Sequence, residues 1–189
     1  RRIKYTNLCY TNPDVRKRIA DFLVSYIKQK PEVDYLHVWL ADDVANACQC
    51  KACSGYTVSD LYVLLLNDID KALTENGIDT KIVFILYHDT FKAPKKEVFN
   101  NPKRFVMSTA IFRSPKDRVE GYAIDDPKAD TTHELSGDFA PIMRYQNSWR
   151  KMFGGDIFFF DYHMYSEHFD DLGHNLITQR LVRDVKNLY

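Results

Sequence analysis

The chain alternates between two hydrophobic spacings. Apolar residues three or four positions apart, which line one face of a helix, alternate with short, nearly continuous apolar runs typical of buried strands. The helical stretches have residues that favour helix ends, namely Asn12 before the first, a Thr57–Asp60 capping pair before the second and Gly77 after it. The spacing predicts helices over residues 13–30, 58–76, 139–153 and 175–187.

Five strands are predicted before and between these helices. They are residues 2–8 and the runs DYLHVWLADD, KIVFILYHD, RFVMSTAIF and DIFFFDYHMY, with a long polar connection over residues 113–137. Strands that alternate with helices predict an α/β domain with a parallel sheet and right-handed crossovers. Five strands are too few to close a (β/α)₈ barrel of about 250 residues. No glycine-rich dinucleotide motif follows the first strand. We therefore expect a single domain over residues 1–189 that is an incomplete TIM-type barrel, rather than an open doubly wound sheet.

Ionisable and thiol side chains collect at one end of the predicted strands. Ligands bind at the carboxyl ends of parallel strands in both architectures, so this asymmetry predicts a functional site there. The amino ends carry only isolated charges. The residues predicted at the carboxyl ends are Cys9, Asp42, Asp43, Tyr87, His88, Arg113, Asp161, Tyr162 and His163.

Three cysteines follow the second strand in a C-x-C-x-x-C arrangement, Cys48, Cys50 and Cys53. Cys9 ends the predicted neighbouring strand, and adjacent strand ends lie about 5 Å apart, so all four thiols are expected at one rim. Four thiolates are a tetrahedral ligand set for structural zinc. Two disulfides or four free thiols are the alternatives that the spacing leaves open.

Asp42 and Asp43 are candidate catalytic carboxylates. They are consecutive on an extended segment, so their side chains diverge unless the chain bends. One of them could act as a general acid, as one of two carboxylates does in glycoside hydrolysis, and the alternative is a helix-cap or surface role. His88 and His163 each adjoin an aspartate and are candidates for a proton shuttle or ligand, or else for hydrogen-bonded rim residues.

The remaining candidates concern substrate binding. Tyr87 and Tyr162 could stack on a sugar or donate to it, or simply pack with the phenol at the water boundary. Arg113 would suit a carboxylate or phosphate group, or be a solvated charge. Asp161 ends the fifth strand beside Tyr162.

Charge and composition narrow the class of partner. The 26 basic and 26 acidic residues balance, which gives no electrostatic signal for nucleic acid or for an anionic membrane. No apolar run approaches the ~20 residues of a membrane span. No targeting segment is recognisable, and the chain begins with Arg1 rather than Met, so we expect an excised segment of a larger protein. The localisation stays open.

Four stretches together resemble a known family: LCYTNPDV at 8–15, WLADD at 39–43, CQCKAC at 48–53 and SDLYVLLLNDIDKAL at 59–73. They resemble an uncharacterised bacterial domain of unknown function found in large carbohydrate-active proteins. That family looks allied to barrel glycoside hydrolases such as hexosaminidases and α-glucuronidases. The resemblance implies a chain that begins in mid-barrel, a general acid at Asp42 or Asp43, and a substrate-positioning role for Tyr162.

We therefore expect a glycoside hydrolase domain with an aspartate general acid and a carbohydrate substrate. One alternative is a non-catalytic carbohydrate-binding or scaffold domain stapled by a Cys₄ zinc site. A second is a metal-dependent hydrolase that uses His88 or His163 with aspartates. The open edges of an incomplete barrel would also favour a homodimer.

Overall fold

The computed structural model describes residues 6–42, 45–111, 139–161, 171–173 and 175–188 of the chain. Within these residues four strands form one parallel sheet, in the same spatial order as along the chain. The strands are β1 (Tyr35–His37), β2 (Lys81–Leu86), β3 (Phe105–Ile111) and β4 (Ile157–Asp161). The helices are α1 (Pro13–Gln29), α2 (Val58–Glu75), α3 (Phe139–Arg150) and α4 (Asn175–Leu188). None of the described helices is both long and apolar enough to cross a membrane.

The predicted parallel α/β class and the four predicted helices are confirmed. The Asn12 side chain accepts a hydrogen bond from the backbone of Asp14, and Thr57 and Asp60 form a reciprocal capping box. Gly77 follows α2 with φ +66°, the left-handed conformation that favours glycine after a helix. Residues 6–8 of the first predicted strand have no regular structure, and residues 2–5 of it lie outside the described residues.

One face of the sheet forms the core with the helices. Phe84 on β2 lies at its centre, with its ring centroid 5.2 Å from that of Trp149 on α3 and 5.2 Å from that of Phe99. Both α1 and α2 add apolar side chains to the same buried cluster. Since ligands bind at the carboxyl ends of parallel strands in α/β folds, a site is expected at that edge of the sheet.

A buried ion pair between α2 and the residue before β3 lies at the amino end of the sheet. Arg104 Nε donates to Asp70 Oδ1 at 2.7 Å, and the two side chains are only 7% and 8% exposed. Asn101 Nδ2 also donates to this carboxylate oxygen. The two terminal nitrogens of the same guanidinium group donate to Ile78 O, Thr80 O and Thr74 Oγ1. Each buried charge therefore has the hydrogen-bond partners that burial requires.

The hydroxyl of Tyr62, a fully buried residue of α2, separates β1 from β2 at their carboxyl ends. Val38 N–H donates to Val83 O in the regular ladder, but the next rung is interrupted. There the Tyr62 hydroxyl donates to Val38 O and accepts from Ile85 N–H. The sequence predicted about eight residues for this strand, but β1 has three, because Tyr62 occupies the backbone groups that would continue the pairing.

Candidate functional site

The four cysteines come from two loops that precede helices. Cys9 lies just before the N-cap of α1, and the other three lie in the connection from β1 to α2. In a parallel α/β unit both helix starts lie at the carboxyl edge of the sheet. The folding of two helices onto the same sheet therefore brings Cys9 to cysteines about 40 residues away in sequence.

The sulfur atoms have the spacing of a metal-ligand set. Cys9 Sγ lies 3.7 Å from Cys50 Sγ and 3.7 Å from Cys53 Sγ, and all four sulfurs lie within 4.8 Å of one another. Four thiolates at about 2.3 Å from a tetrahedral zinc ion would lie about 3.8 Å apart. A disulfide needs about 2.05 Å between sulfurs, and all four thiols are free. The cysteines predicted to meet at one rim do so.

The thiols perturb one another's ionisation in opposite directions. The backbone N–H of Cys53 and the neighbouring thiols lower the pKa of Cys50 to about 6. The backbone N–H of Cys50 acts to lower the pKa of Cys48, but burial and the other thiols outweigh it and raise that pKa to about 12. One thiolate is thus favoured, while burial and the hydrogen bonds with neighbouring thiols oppose a second, and a bound cation would favour the thiolate form of all four.

A turn and a threonine hold the sulfurs in place. The backbone N–H groups of Cys53 and Ser54 both donate to Cys50 O, at 2.9 and 3.0 Å, which folds the C-x-x-C segment into a tight turn. Thr11 Oγ1 lies 3.3 Å from Cys9 Sγ and 3.2 Å from Cys53 Sγ. Thr11 was not predicted as a site residue, although it lies two residues after the candidate ligand Cys9 and could have been proposed on that ground. Residues that orient metal ligands in this way tune metal affinity.

The segment after β2 is fixed from two sides. Thr90 Oγ1 accepts from Tyr87 N–H at 2.9 Å and lies 2.9 Å from Ile85 O, to which it donates. The indole N–H of Trp149 donates to Thr90 O and Phe91 O, at 3.1 Å each. These bonds hold the single helical turn His88–Thr90 at the carboxyl end of β2.

Among the residues that the structure describes, two at this edge have a left-handed backbone without being glycine. They are His88, with φ 48°, and Ala45, with φ 55°. The carboxylate of Asp89 accepts from Ala45 N–H at 2.7 Å and so links the loop after β1 to the turn after β2. Non-glycine residues in this conformation cost free energy and cluster at functional sites. The sequence placed Asp89 at the end of the predicted strand KIVFILYHD but assigned it no role, because that role depends on a contact with another loop.

Asp60 anchors the loop after the β2 turn. This fully buried carboxylate accepts backbone N–H groups from Lys95, Lys96 and Glu97, at 2.8, 2.7 and 3.1 Å, as well as two hydrogen bonds from Thr57. Burial acts to raise the pKa of Asp60, but the hydrogen bonds outweigh it and lower the pKa to about 2. The capping residue of α2 thereby also holds a second loop at the carboxyl edge of the sheet.

Of the other predicted site residues, Asp42, Tyr87, His88 and Asp161 lie in the described part of the chain. Asp42 is exposed after β1, and its backbone carbonyl accepts from Asn46 Nδ2 at 2.7 Å. Tyr87 and His88 follow β2 with ring centroids 3.8 Å apart, and partly buried Asp161 ends β4. The predicted residues that lie outside the described part of the chain are Asp43, Arg113, Tyr162 and His163.

Comparisons with known proteins give one family. No curated protein and no solved structure matches the chain significantly. A family model described as Domain of unknown function (DUF4838) matches residues 1–168. The match covers most of the chain and includes all four cysteines, so the chain belongs to this family of domains of unknown function.

Proposed function

We propose that Cys9, Cys48, Cys50 and Cys53 bind one structural zinc ion. The observation that carries this proposal is the separation of the sulfurs, which matches the edge of a zinc–sulfur tetrahedron. Four protein ligands complete the coordination sphere and leave no position for a substrate. The metal would therefore fasten the loop between β1 and α2 to the segment before α1.

The metal content of the purified chain tests this proposal. We expect about one zinc per chain and thiols that react only after chelation. Replacing zinc with Co²⁺ should give the thiolate charge-transfer and d–d bands of a tetrahedral sulfur site. Cys50→Ser should weaken binding strongly, whereas Ser54→Ala, in the same loop, should leave it unchanged. Metal-free protein with four freely reacting thiols would refute the zinc site.

We also propose that the sheet is part of a (β/α)₈ barrel. Sequential order of the parallel strands supports this, because a doubly wound sheet reverses its order at a switch point. A flat sheet would place β1 and β4, three strand spacings apart, at a separation of about 14 Å. Yet the rings of His37 on β1 and Phe158 on β4 lie 6.0 Å apart, which supports the strong curvature of a barrel wall.

For the activity, we propose acid-assisted hydrolysis of a glycosidic bond. The supporting observation is that carboxylates follow three strands at one edge, Asp42 after β1, Asp89 after β2 and Asp161 at the end of β4. Left-handed His88 and Ala45 lie at the same edge, joined through Asp89. Asp42 or its neighbour Asp43 is the proton donor in this proposal, and the zinc site stabilises the loop that carries them.

Substitution of the carboxylate that donates the proton should lower the catalytic rate and leave the fold intact. With a panel of chromogenic glycosides, we expect the variant that lacks the proton donor, Asp42→Asn or Asp43→Asn, to lose about 10²- to 10⁴-fold in kcat. The loss should shrink for substrates with acidic leaving groups, which need little protonation. Asp34→Asn, an exposed aspartate at the amino edge, is the matched control. Full turnover in both variants would overturn the assignment.

Two other outcomes identify the alternatives. Sugar binding without turnover of any glycoside would favour a non-catalytic carbohydrate-binding or scaffold domain with the same zinc site. Turnover that is lost on chelation while the fold persists would favour a metal-dependent hydrolase that uses His88.

A further inference from the structure

The face of the sheet opposite the helical core is concave and aromatic. Side chains alternate across a strand, so His37 and Trp39 share this face with Phe158 and Phe160. Their rings meet edge to face across the curved sheet, with centroids 5.7 Å apart for Trp39 and Phe160 and 6.0 Å apart for His37 and Phe158. Two strands that are not neighbours therefore build one aromatic wall.

The middle of this concave face, its floor, is buried, whereas its mouth at the carboxyl ends of the strands is exposed to solvent. Val83 and Ile85 of β2, on its floor, are 0% and 7% exposed, whereas Trp39 and Phe160 are 44% and 41% exposed. Both exposed rings lie at the carboxyl ends of their strands, beside the candidate catalytic edge. Tyr87 continues β2 in extended conformation, with φ −160° and ψ 130°, so its side chain projects on the same face as Ile85.

The charged groups described around this mouth are carboxylates, which accept hydrogen bonds. The described strand ends carry the carboxylates of Asp42, Asp89 and Asp161. On the face itself Ser108 Oγ is fully buried and has no hydrogen-bond partner among the described residues. An apolar concavity with a few convergent polar groups is the usual form of a small-molecule site. Carboxylates accept hydrogen bonds from hydroxyl groups and repel anions.

We infer that Trp39, Tyr87 and Phe160 form a platform that binds the ring of a neutral pyranose at the mouth of the concave face. This inference deepens the proposed carbohydrate function and rests on it. The C–H face of a pyranose is apolar and lies against aromatic rings, while its hydroxyls at the edge donate to the surrounding carboxylates. A uronic acid would bring its own carboxylate to the same rim and is disfavoured by like charge.

Tryptophan fluorescence measures this binding directly in the wild-type chain. The chain has two tryptophans, and Trp149 is 0% exposed with its N–H bonded inside the core, so a ligand-dependent change reports Trp39. The probes are methyl glucoside, methyl galactoside, methyl N-acetylglucosaminide, short oligomers of these sugars, and glucuronate. We expect a saturable response to at least one neutral probe, with a Kd on the order of 1 mM or below. Glucuronate should bind at least about tenfold more weakly.

Calorimetry of variants assigns the binding to the platform. Trp39→Ala and Phe160→Ala should each weaken the best neutral ligand about tenfold or more. Phe22→Ala, which removes a ring that is 67% exposed on α1, should leave affinity unchanged. Circular dichroism and thermal melting of each variant confirm that the fold is retained, and Phe160→Leu replaces any variant that fails to fold.

Each contrary outcome has a defined meaning. Tighter binding of glucuronate, or no response to any probe, overturns the platform. So does a Trp39 emission that shifts with protein concentration as a dimer forms, because a second copy then covers this face. If neutral sugars bind but nothing is hydrolysed, the platform stands and the hydrolase proposal fails. If turnover is unchanged in both aromatic variants, hydrolysis stands and the platform fails.

Discussion

Removal of the proposed zinc ion from the cysteine cluster by a chelator is expected to lower the free energy of unfolding by about 3–5 kcal/mol. For a chain of this size that corresponds to a fall in Tm of roughly 10 °C, measured by scanning calorimetry. The loss is large because zinc binding in such sites is itself folding free energy. It is smaller than the full binding energy, because most of the buried cluster consists of helix and strand side chains other than Cys53, which belongs to it.

A Cys variant tests whether the effect comes from this site. Cys50→Ser should lower Tm by a similar amount in the presence of zinc, and the variant should no longer respond to chelator. Cys50 is exposed, so this substitution removes a ligand without opening a cavity in the core. An unchanged Tm after chelation, with all four thiols then reactive, would mean that the metal does not stabilise the fold.

Arg104→Met is expected to lower the free energy of unfolding by about 3–5 kcal/mol, measured by urea denaturation. The substitution keeps the packed stem but leaves the Asp70 carboxylate, 8% exposed, without its ion-pair partner at 2.7 Å. It also leaves the backbone carbonyls of Ile78 and Thr80 without the guanidinium that donates to them. An isolated charge in an apolar surrounding is costly, whereas a paired one is tolerated.

A double variant and an exposed pair serve as controls. Asp70→Asn combined with Arg104→Met should cost less than the sum of the single changes, because no net charge remains buried. Lys17→Met, which breaks the exposed pair with Asp21, should change stability by less than about 0.5 kcal/mol. A loss below about 1 kcal/mol for Arg104→Met would mean that Asp70 reaches water in the variant.

Local signals predicted much of this fold. Asn12, the Thr57–Asp60 box and Gly77 mark helix ends through contacts with residues close by in sequence, and all three were identified correctly. The four cysteines could also be brought together, because that step needs only strand order and the position of helix starts.

The side-chain contacts that the curvature of the sheet creates could not be predicted, although a barrel-type sheet was expected. Trp39 and Phe160 are distant in sequence and lie on non-adjacent strands, so only the bend of the sheet brings their rings together. Similarly, the left-handed backbone at His88 and Ala45 has no glycine to signal it and depends on bonds between loops. The insertion of Tyr62 between two strands was hidden within the apolar pattern of α2.

That insertion has a consequence for how this family can diversify. The direction in which the chain leaves β1 is set by a hydroxyl from α2, which bonds Val38 O and Ile85 N–H, together with Asn46, whose side chain donates to Ala41 O and Asp42 O. Between Asn46 and α2, positions other than the cysteines can therefore change without altering the hydrogen bonds that end β1. A departure point fixed by a helix side chain and an asparagine separates the sheet from a loop that can vary, and loops positioned in this way commonly carry the functional differences between related proteins.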